Sequence, residues 1–454
     1  MYRVARRSLA IFASAVVCVA DTNALRTTMA SGGAVPGRDA LSASVGPSGS
    51  PILAADVVGS GGVSGAAAAA TAVRTADGEE GLSTAAAASA AAARSAVDSF
   101  APRAYRAPWW AKNAHFSTIF GSGEIQKKLG TRGPDIVYRR ERWDTPDGDF
   151  VDVDFLDAPG GGGSLNGDNS APFAVLTHGL ESTSSAPLTA RMALAYQRKG
   201  FRVAVMCFRS CSGEDNLTLR AYHLGFTEDL ELVCRTLRAR HPNSPLFLSG
   251  FSLGGNVVAK FLGELGDQAR ELGIMGGAVT CVPFDAVSCQ LRVDTGFGKL
   301  VYAKNFLDSL IPKMMRKSLT DPRVAEVIDL ERLQKVTTIG EFDDMVIAPV
   351  FGFDDYQDYY RKTQSGQFLK GVRVPLLAVQ AINDPFMDPK KLPTLEDLRG
   401  APVRLSYHKH GGHCAFVTDN KEEDDKGWLA TELARFGEHV HQQRETSESV
   451  AESA

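Results

Sequence analysis

A chain of 454 residues has room for one large domain and a substantial extra segment. A formal charge of −4 and 44% hydrophobic residues leave no basic excess of the kind that nucleic-acid binding needs. Seven cysteines include no C-x-x-C pair and no metal-ligand spacing, which argues against a disulfide framework or a zinc module.

The amino terminus reads Met1-Tyr2-Arg3-Val4-Ala5-Arg6-Arg7, then an apolar run over 9–20, then Asp21. A basic start before a short apolar run fits a targeting presequence over residues 1–29, secretory or plastid in type. The run is short of the roughly 20 residues that span a bilayer, so an uncleaved anchor is the weaker alternative. Residues 30–104 are dominated by Ala, Gly and Ser and read as a disordered linker that buries too little surface to order itself. Its alanine run near 84–96 has the propensity for transient helix.

A folded domain is expected over 105–441, starting where Tyr105, Trp109 and Trp110 bring aromatic density. Residues 135–143 read as a strand, and 150–157 alternate with the period of a half-buried strand. Thr145-Pro146-Asp147-Gly148 is a turn between them. The glycines at 160–163 mark a surface loop. From Phe173 apolar strands alternate with helices: strands at 173–177, 201–208, 246–251 and 277–282, helices at 188–198, 228–240 and 253–265. That alternation predicts an α/β fold with a mostly parallel central sheet and helices on both faces. Cys207 and Cys281 fall in these strands and read as small hydrophobes. The pattern pauses over 283–370, where helices at 306–318 and 321–333 predict a cap inserted over the strands' carboxyl ends. Strands at 374–381 and 403–407 and a helix at 428–440 follow, with 442–454 as a disordered polar tail.

Gly250-Phe251-Ser252-Leu253-Gly254 sits between an apolar strand and an amphipathic helix, the context of a nucleophile elbow. A plain packing turn is the bland alternative. A serine hydroxyl needs a base to take its proton. His413, on the loop after the last strand in His410-Gly411-Gly412-His413, is the candidate, ahead of His408 and His410. The His410/His413 spacing has no further cluster to make a metal site. The acid that orients the imidazole is Asp384, in Asn383-Asp384-Pro385-Phe386, with Asp388 and Asp285 as rivals and an Asx turn as the bland reading. Asp384 preserves the chain order Ser…Asp…His. The oxyanion needs two backbone N–H groups, assigned to Leu253 and to Leu180 in His178-Gly179-Leu180-Glu181. In the cap, Phe306, Met314, Met315, Phe351, Phe353 and Tyr356 are candidates for an apolar acyl pocket, or simply core.

With these residues in place the chain resembles the α/β-hydrolase superfamily and, more narrowly, its YheT-like branch of abhydrolase-domain and embryogenesis-associated proteins. The resemblance spans roughly 108–439. It is carried by Asn113-Ala114-His115 with Thr118, His178 to Glu181, Phe208-Arg209 with Cys211 to Glu214, Tyr222-His223 with Thr227 to Asp229, Gly250 to Asn256, Asn383 to Phe386, and Gly411 to His413. Ser117 departs from the branch's usual Gln, and Ser210 from its usual Gly. The resemblance implies Ser252, Asp384 and His413 as a charge relay. It also implies hydrolysis of carboxylic esters of monoacylglycerol or phospholipid type, without cofactor or metal. The expected partner is a small acyl ester or lipid, with peripheral membrane contact and no nucleic acid. Two other readings stay open: a non-catalytic ligand-binding protein on this fold, and acyl transfer, given the acyltransferase-like spacing of His223-Leu224-Gly225-Phe226-Thr227-Glu228.

Overall fold

Eight strands form one sheet: β1 (Arg139–Asp144), β2 (Phe150–Leu156), β3 (Phe173–Thr177), β4 (Arg202–Cys207), β5 (Leu246–Phe251), β6 (Ile274–Thr280), β7 (Leu376–Ala381) and β8 (Val403–His408). Their spatial order is β1-β2-β4-β3-β5-β6-β7-β8. β2 runs antiparallel to both its neighbours, and every pairing from β4 to β8 is parallel. The structure, a computed structural model, describes residues 76–121, 136–157, 170–419 and 427–452. The expected presequence and the glycine loop at 160–163 lie outside the described residues.

The main helices are α1 (Ala76–Ser99), α2 (Ala114–Gly121), α3 (Pro187–Arg198), α4 (Glu228–Arg240), α5 (Ser252–Leu265), α6 (Ala286–Val293), α7 (Lys304–Ser318), α8 (Tyr356–Thr363) and α9 (Trp428–Glu452). Strands β3 to β7 are buried along their whole length, which is why they read as unbroken apolar runs. On one face Val233 and Leu237 of α4 and Val258 and Leu262 of α5 join the core. On the other, Met192 and Tyr196 of α3 and Leu433 and Phe436 of α9 close over Leu176, Val203 and Phe247. Each such side chain contributes about 1.5–3 kcal/mol by leaving water.

The connectivity positions the site. After β3 the chain adds β4 on one side, then crosses to place β5 on the other. The reversal leaves a crevice beyond the carboxyl ends of β3 and β5, the usual ligand position in such sheets. The insertion between β6 and β7 carries α6, α7 and α8. Its expected helix over 321–333 is two pieces, Arg323–Val327 and Leu330–Leu333, because the Asp329 side chain accepts from the N–H groups of Glu331 and Arg332 and starts a new helix.

Three expectations need correction. Within the stretch read as linker, α1 is helical, and Ala93, Ala96, Val97 and Phe100 are buried. Phe100 packs edge-on against Phe436 at 5.0 Å, and Arg103 binds Glu432 at 2.8 Å. Few large residues suffice because alanine lets a helix pack closely. The stretch read as tail continues α9 as helix to Glu452, in a run of helix-forming Gln, Glu and Arg with His441 and Glu445 paired one turn apart. Lastly, β2 is buried on both faces. The polar half of its alternation is Asp152 and Asp154, paired with Arg142 and Arg140 of β1 at 2.8 and 2.7 Å.

Candidate active site

Strand β5 ends at Phe251, and α5 begins at Ser252 with a φ of 54°. A non-glycine residue in that region costs about 1–2 kcal/mol, so the surroundings must enforce it. They do so through the flanking glycines. A methyl on Gly250 would strike Thr177 Oγ1 and the Gly254 backbone, and one on Gly254 would strike the His178 carbonyl. Thr177 Oγ1 donates to the Gly254 carbonyl at 2.9 Å and ties β3 to the turn.

His413 reaches this turn from the loop after β8. Its Nε2 lies 3.0 Å from Ser252 Oγ and its Nδ1 2.8 Å from Asp384 Oδ2. A carboxylate only accepts, so Nδ1 carries the proton and Nε2 is free to accept from the hydroxyl. Asp384, just past β7, is fully buried and held on both oxygens. Its Oδ1 accepts from the Phe386 N–H at 2.9 Å, and its Oδ2 from Gln380 Nε2 at 3.3 Å. The Phe386 ring stacks on the imidazole at 4.1 Å. Burial disfavours charge on His413, but the neighbouring Asp384 carboxylate outweighs it and holds the pKa above 6.5.

The loop is fixed from outside the sheet. Gly412, at a φ of 61°, lies so close to Ser117 and Thr118 of α2 that a methyl there would collide with both side chains. Asn383 Oδ1 accepts from the Gly412 N–H at 3.1 Å, and its Nδ2 donates to the Lys112 carbonyl at 3.1 Å.

Leu180 and Leu253 border the same cavity as Ser252. A methyl on Gly179 would meet the Phe251 ring at 3.0 Å and Ser252 Cβ at 3.4 Å, so the backbone comes up against the Ser252 turn there. His178 orients this segment. The Phe208 N–H donates to its Nε2 at 3.2 Å, which leaves Nδ1–H to donate to the Gly179 carbonyl at 2.9 Å. Burial lowers the His178 pKa to about 4, so the ring stays neutral. In a planar trans peptide the Leu180 N–H points opposite to the Gly179 carbonyl thus held.

The cavity runs from Ser252 beneath the cap, lined by Val293, Phe306, Leu310, Met314, Val346 and other apolar side chains. Of the six cap residues singled out by sequence, Phe306 and Met314 line it; Met315, Phe351, Phe353 and Tyr356 pack against the core. At the cavity edge the Glu181 carboxylate accepts from Tyr222 OH at 2.8 Å, Ser309 Oγ at 2.6 Å and Lys313 Nζ at 2.6 Å. The last two belong to α7, so the cap is bonded to the loop that carries Leu180.

The rival residues have other duties. Asp285 caps α6 by accepting from the Ser288 N–H, and Asp388 accepts from the Lys390 N–H. His408 bonds Ser406 and packs against Tyr105 and Trp428. Ser210 has a φ of 61°, which is why glycine suits that position; its Oγ bonds Asn216 at 2.7 Å instead. Sequence reasoning missed the supporting parts played by Thr118, Gln380 and His178. Two of these stood in quoted motifs without a role, and Gln380 lies inside an apolar strand whose polar interruption was the available signal.

The Hydrolase_4 family model, described as serine aminopeptidase, S33, matches residues 171–420. YheT of Escherichia coli strain K12 is 34% identical over 279 residues, which is 61% of this chain and 78% of that protein. Phospholipase ABHD3 of Mus musculus is 27% identical over 287 residues, 63% of this chain and 68% of its own. Monoacylglycerol lipase of Saccharomyces cerevisiae is 28% identical over 284 residues, 61% of each chain.

Proposed function

The chain belongs to the Hydrolase_4 family of α/β-hydrolases, in the branch with YheT and the abhydrolase-domain proteins, and from that premise we propose that it cleaves carboxylic esters of lipid type through an acyl-enzyme on Ser252. The observation that carries this reading is the hydrogen-bonded chain from Ser252 through His413 to Asp384, 3.0 and 2.8 Å long, at the end of an apolar cavity.

Ser252 Oγ attacks the acyl carbonyl while His413 Nε2 takes its proton. Asp384 stabilises the imidazolium and keeps its orientation. The N–H groups of Leu253 and Leu180 donate to the developing oxyanion, each worth about 3 kcal/mol in such sites. The imidazolium returns its proton to the leaving alkoxide, which departs as an alcohol. Water then enters, gives its proton to Nε2 and attacks the acyl-serine; collapse releases the acid and restores the hydroxyl. The names of the relatives, a phospholipase and a monoacylglycerol lipase, support a lipid ester. So does the apolar lining, which suits an acyl chain better than a polar peptide. Contact with lipid is proposed as peripheral; among the described residues no helix is long and apolar enough to cross a membrane.

A fluorophosphonate probe should label the wild type and fail on Ser252→Ala, and p-nitrophenyl esters of graded length should be hydrolysed in parallel with labelling. A folded wild-type chain that neither labels nor turns over would leave the ligand-binding reading in its place. Product analysis with an added alcohol acceptor separates hydrolysis from acyl transfer.

A further inference from the structure

Two thiols that the relay does not use lie against His413. Cys281 follows β6 and Cys414 follows His413, so they come from separate loops. Both are in the left-handed region, at φ of 49° and 60°. Non-glycine residues are held there only where the surroundings enforce it, often near functional sites. The Cys414 N–H donates to Cys281 Sγ at 3.1 Å. The two sulfurs and a ring nitrogen of His413 lie within 4.8 Å of one another. Cys281 is fully buried, while His413 and Cys414 are partly open. Among the described residues no other group of three His, Cys, Asp or Glu side chains brings its donor atoms this close.

We propose that Cys281, Cys414 and His413 bind a thiophilic d10 cation, Zn2+ in the first instance, and that its binding shuts off Ser252. Zinc holds cysteine sulfur at about 2.3 Å and histidine nitrogen at about 2.0–2.1 Å, so two sulfurs on one ion lie at most about 4.6 Å apart. The three donors lie within 4.8 Å of one another; a tetrahedral ion holds its ligands closer than that, so binding asks the cysteine side chains to rotate onto one centre. The chemistry balances without an oxidant: each thiol that binds releases its proton to solvent, and no electron moves.

The inhibition follows from the ring. Nε2 faces Ser252 and Nδ1 faces Asp384. Whichever nitrogen the ion takes, one of those two bonds is lost. An ion on Nε2 removes the base; an ion on Nδ1 removes the orienting carboxylate. The inhibition rests on the esterase reading above, whereas the uptake of metal does not.

The test uses the full chain, metal-free and kept reduced by a phosphine. Zn2+ is titrated by equilibrium dialysis against a chromophoric indicator, and p-nitrophenyl ester hydrolysis is followed on the same samples. Expected for the wild type is one ion that reaches the site, with activity falling in step with occupancy and returning on addition of a chelator. Cys414→Ser should weaken uptake by roughly tenfold or more and should keep most of its own metal-free rate at the zinc level that silences the wild type. Cys289→Ser should take up zinc as the wild type does. Cys281 is buried, so Cys281→Ala is read only if its circular dichroism matches the wild type, and it should also lose uptake. Dialysis reports on the site even if Ser252 proves inactive, so failure of the esterase reading is seen separately. A reduced wild type that takes up no zinc overturns the proposal. So does a Cys414→Ser variant that binds zinc and loses activity as the wild type does.

Discussion

The backbone N–H of His413 donates to Thr118 Oγ1 at 2.9 Å, across 295 positions of sequence. Thr118 Oγ1 in turn donates to the Ala114 carbonyl at 2.8 Å within α2. The proposed base therefore rests on a helix that precedes the whole sheet. Thr118→Val keeps the volume and removes the acceptor, which leaves the His413 N–H unpaired at a cost of about 1–3 kcal/mol. A fall in kcat of about tenfold with little change in KM is expected, since a small displacement of a reacting group is expensive. Thr118→Ser should restore the rate; steady-state kinetics on one p-nitrophenyl ester checks both.

Asp384→Asn preserves shape and removes the charge. An amide at that place can donate to Nδ1 and so favours the wrong tautomer, with no free acceptor left at Nε2 for the serine proton. The drop in kcat should approach about 10⁴-fold. A retained circular-dichroism spectrum and melting profile would separate lost chemistry from lost fold.

The pH profile follows from the same pair. Burial pulls the His413 pKa down and Asp384 lifts it further, so the folded value stands above 6.5. The base works as the neutral ring, so kcat/KM should rise with pH along a limb centred above 6.5. For stability the sign runs the other way. A raised folded pKa favours the folded chain below about 6.5, and that contribution is lost as pH rises through the folded value. Rates from about pH 5 to about pH 9 test the first statement, and urea midpoints over the same range test the second. An acid limb clearly below 6.5 would contradict the charge coupling seen in the structure.

Away from the site, Arg209 anchors a buried ionic cluster. Its guanidinium binds Asp229 at 2.7 Å, Asp147 at 2.7 Å and Asp149 at 3.3 Å, with little exposure on Arg209, Asp149 or Asp229. Burial opposes charge on Asp149, yet donors from Asn216, Thr218 and the Leu217 and Phe150 N–H groups bring its pKa down to about 2. Arg209→Met would take the guanidinium from buried Asp229, while Asp149 keeps its other donors. A loss of about 3–5 kcal/mol is expected, read as a lower urea midpoint. The matched residues Arg209 and Asp229 thus serve the fold rather than the chemistry.

The sheet was legible because its buried strands are short apolar runs with helices between them, a pattern set by local burial. Ser252 was legible for the same reason, as a serine caught between glycines where a strand meets a helix. Asp384 and His413 could be picked out by order along the chain and by their places after β7 and β8. Thr118 and Gln380 offered only a residue in a motif and a polar break in an apolar strand, because their roles depend on contacts between distant segments that no local period records. Cys281 read as a small hydrophobe, which its burial bears out, but its approach to Cys414 depends on how two loops cross. The alanine helix α1 was missed since composition reports how little it can bury alone, not that α9 offers a surface to share.

That shared surface sets a limit on any trimming of the amino terminus. Should the amino-terminal segment be removed by a peptidase, the cut must fall upstream of Ala93, because losing Val97, Phe100 and Arg103 would strip the cover from Phe436 and leave the buried Glu432 carboxylate with Arg435 as its remaining arginine partner. A form trimmed to the first aromatic cluster at Tyr105 would surrender part of its own interior.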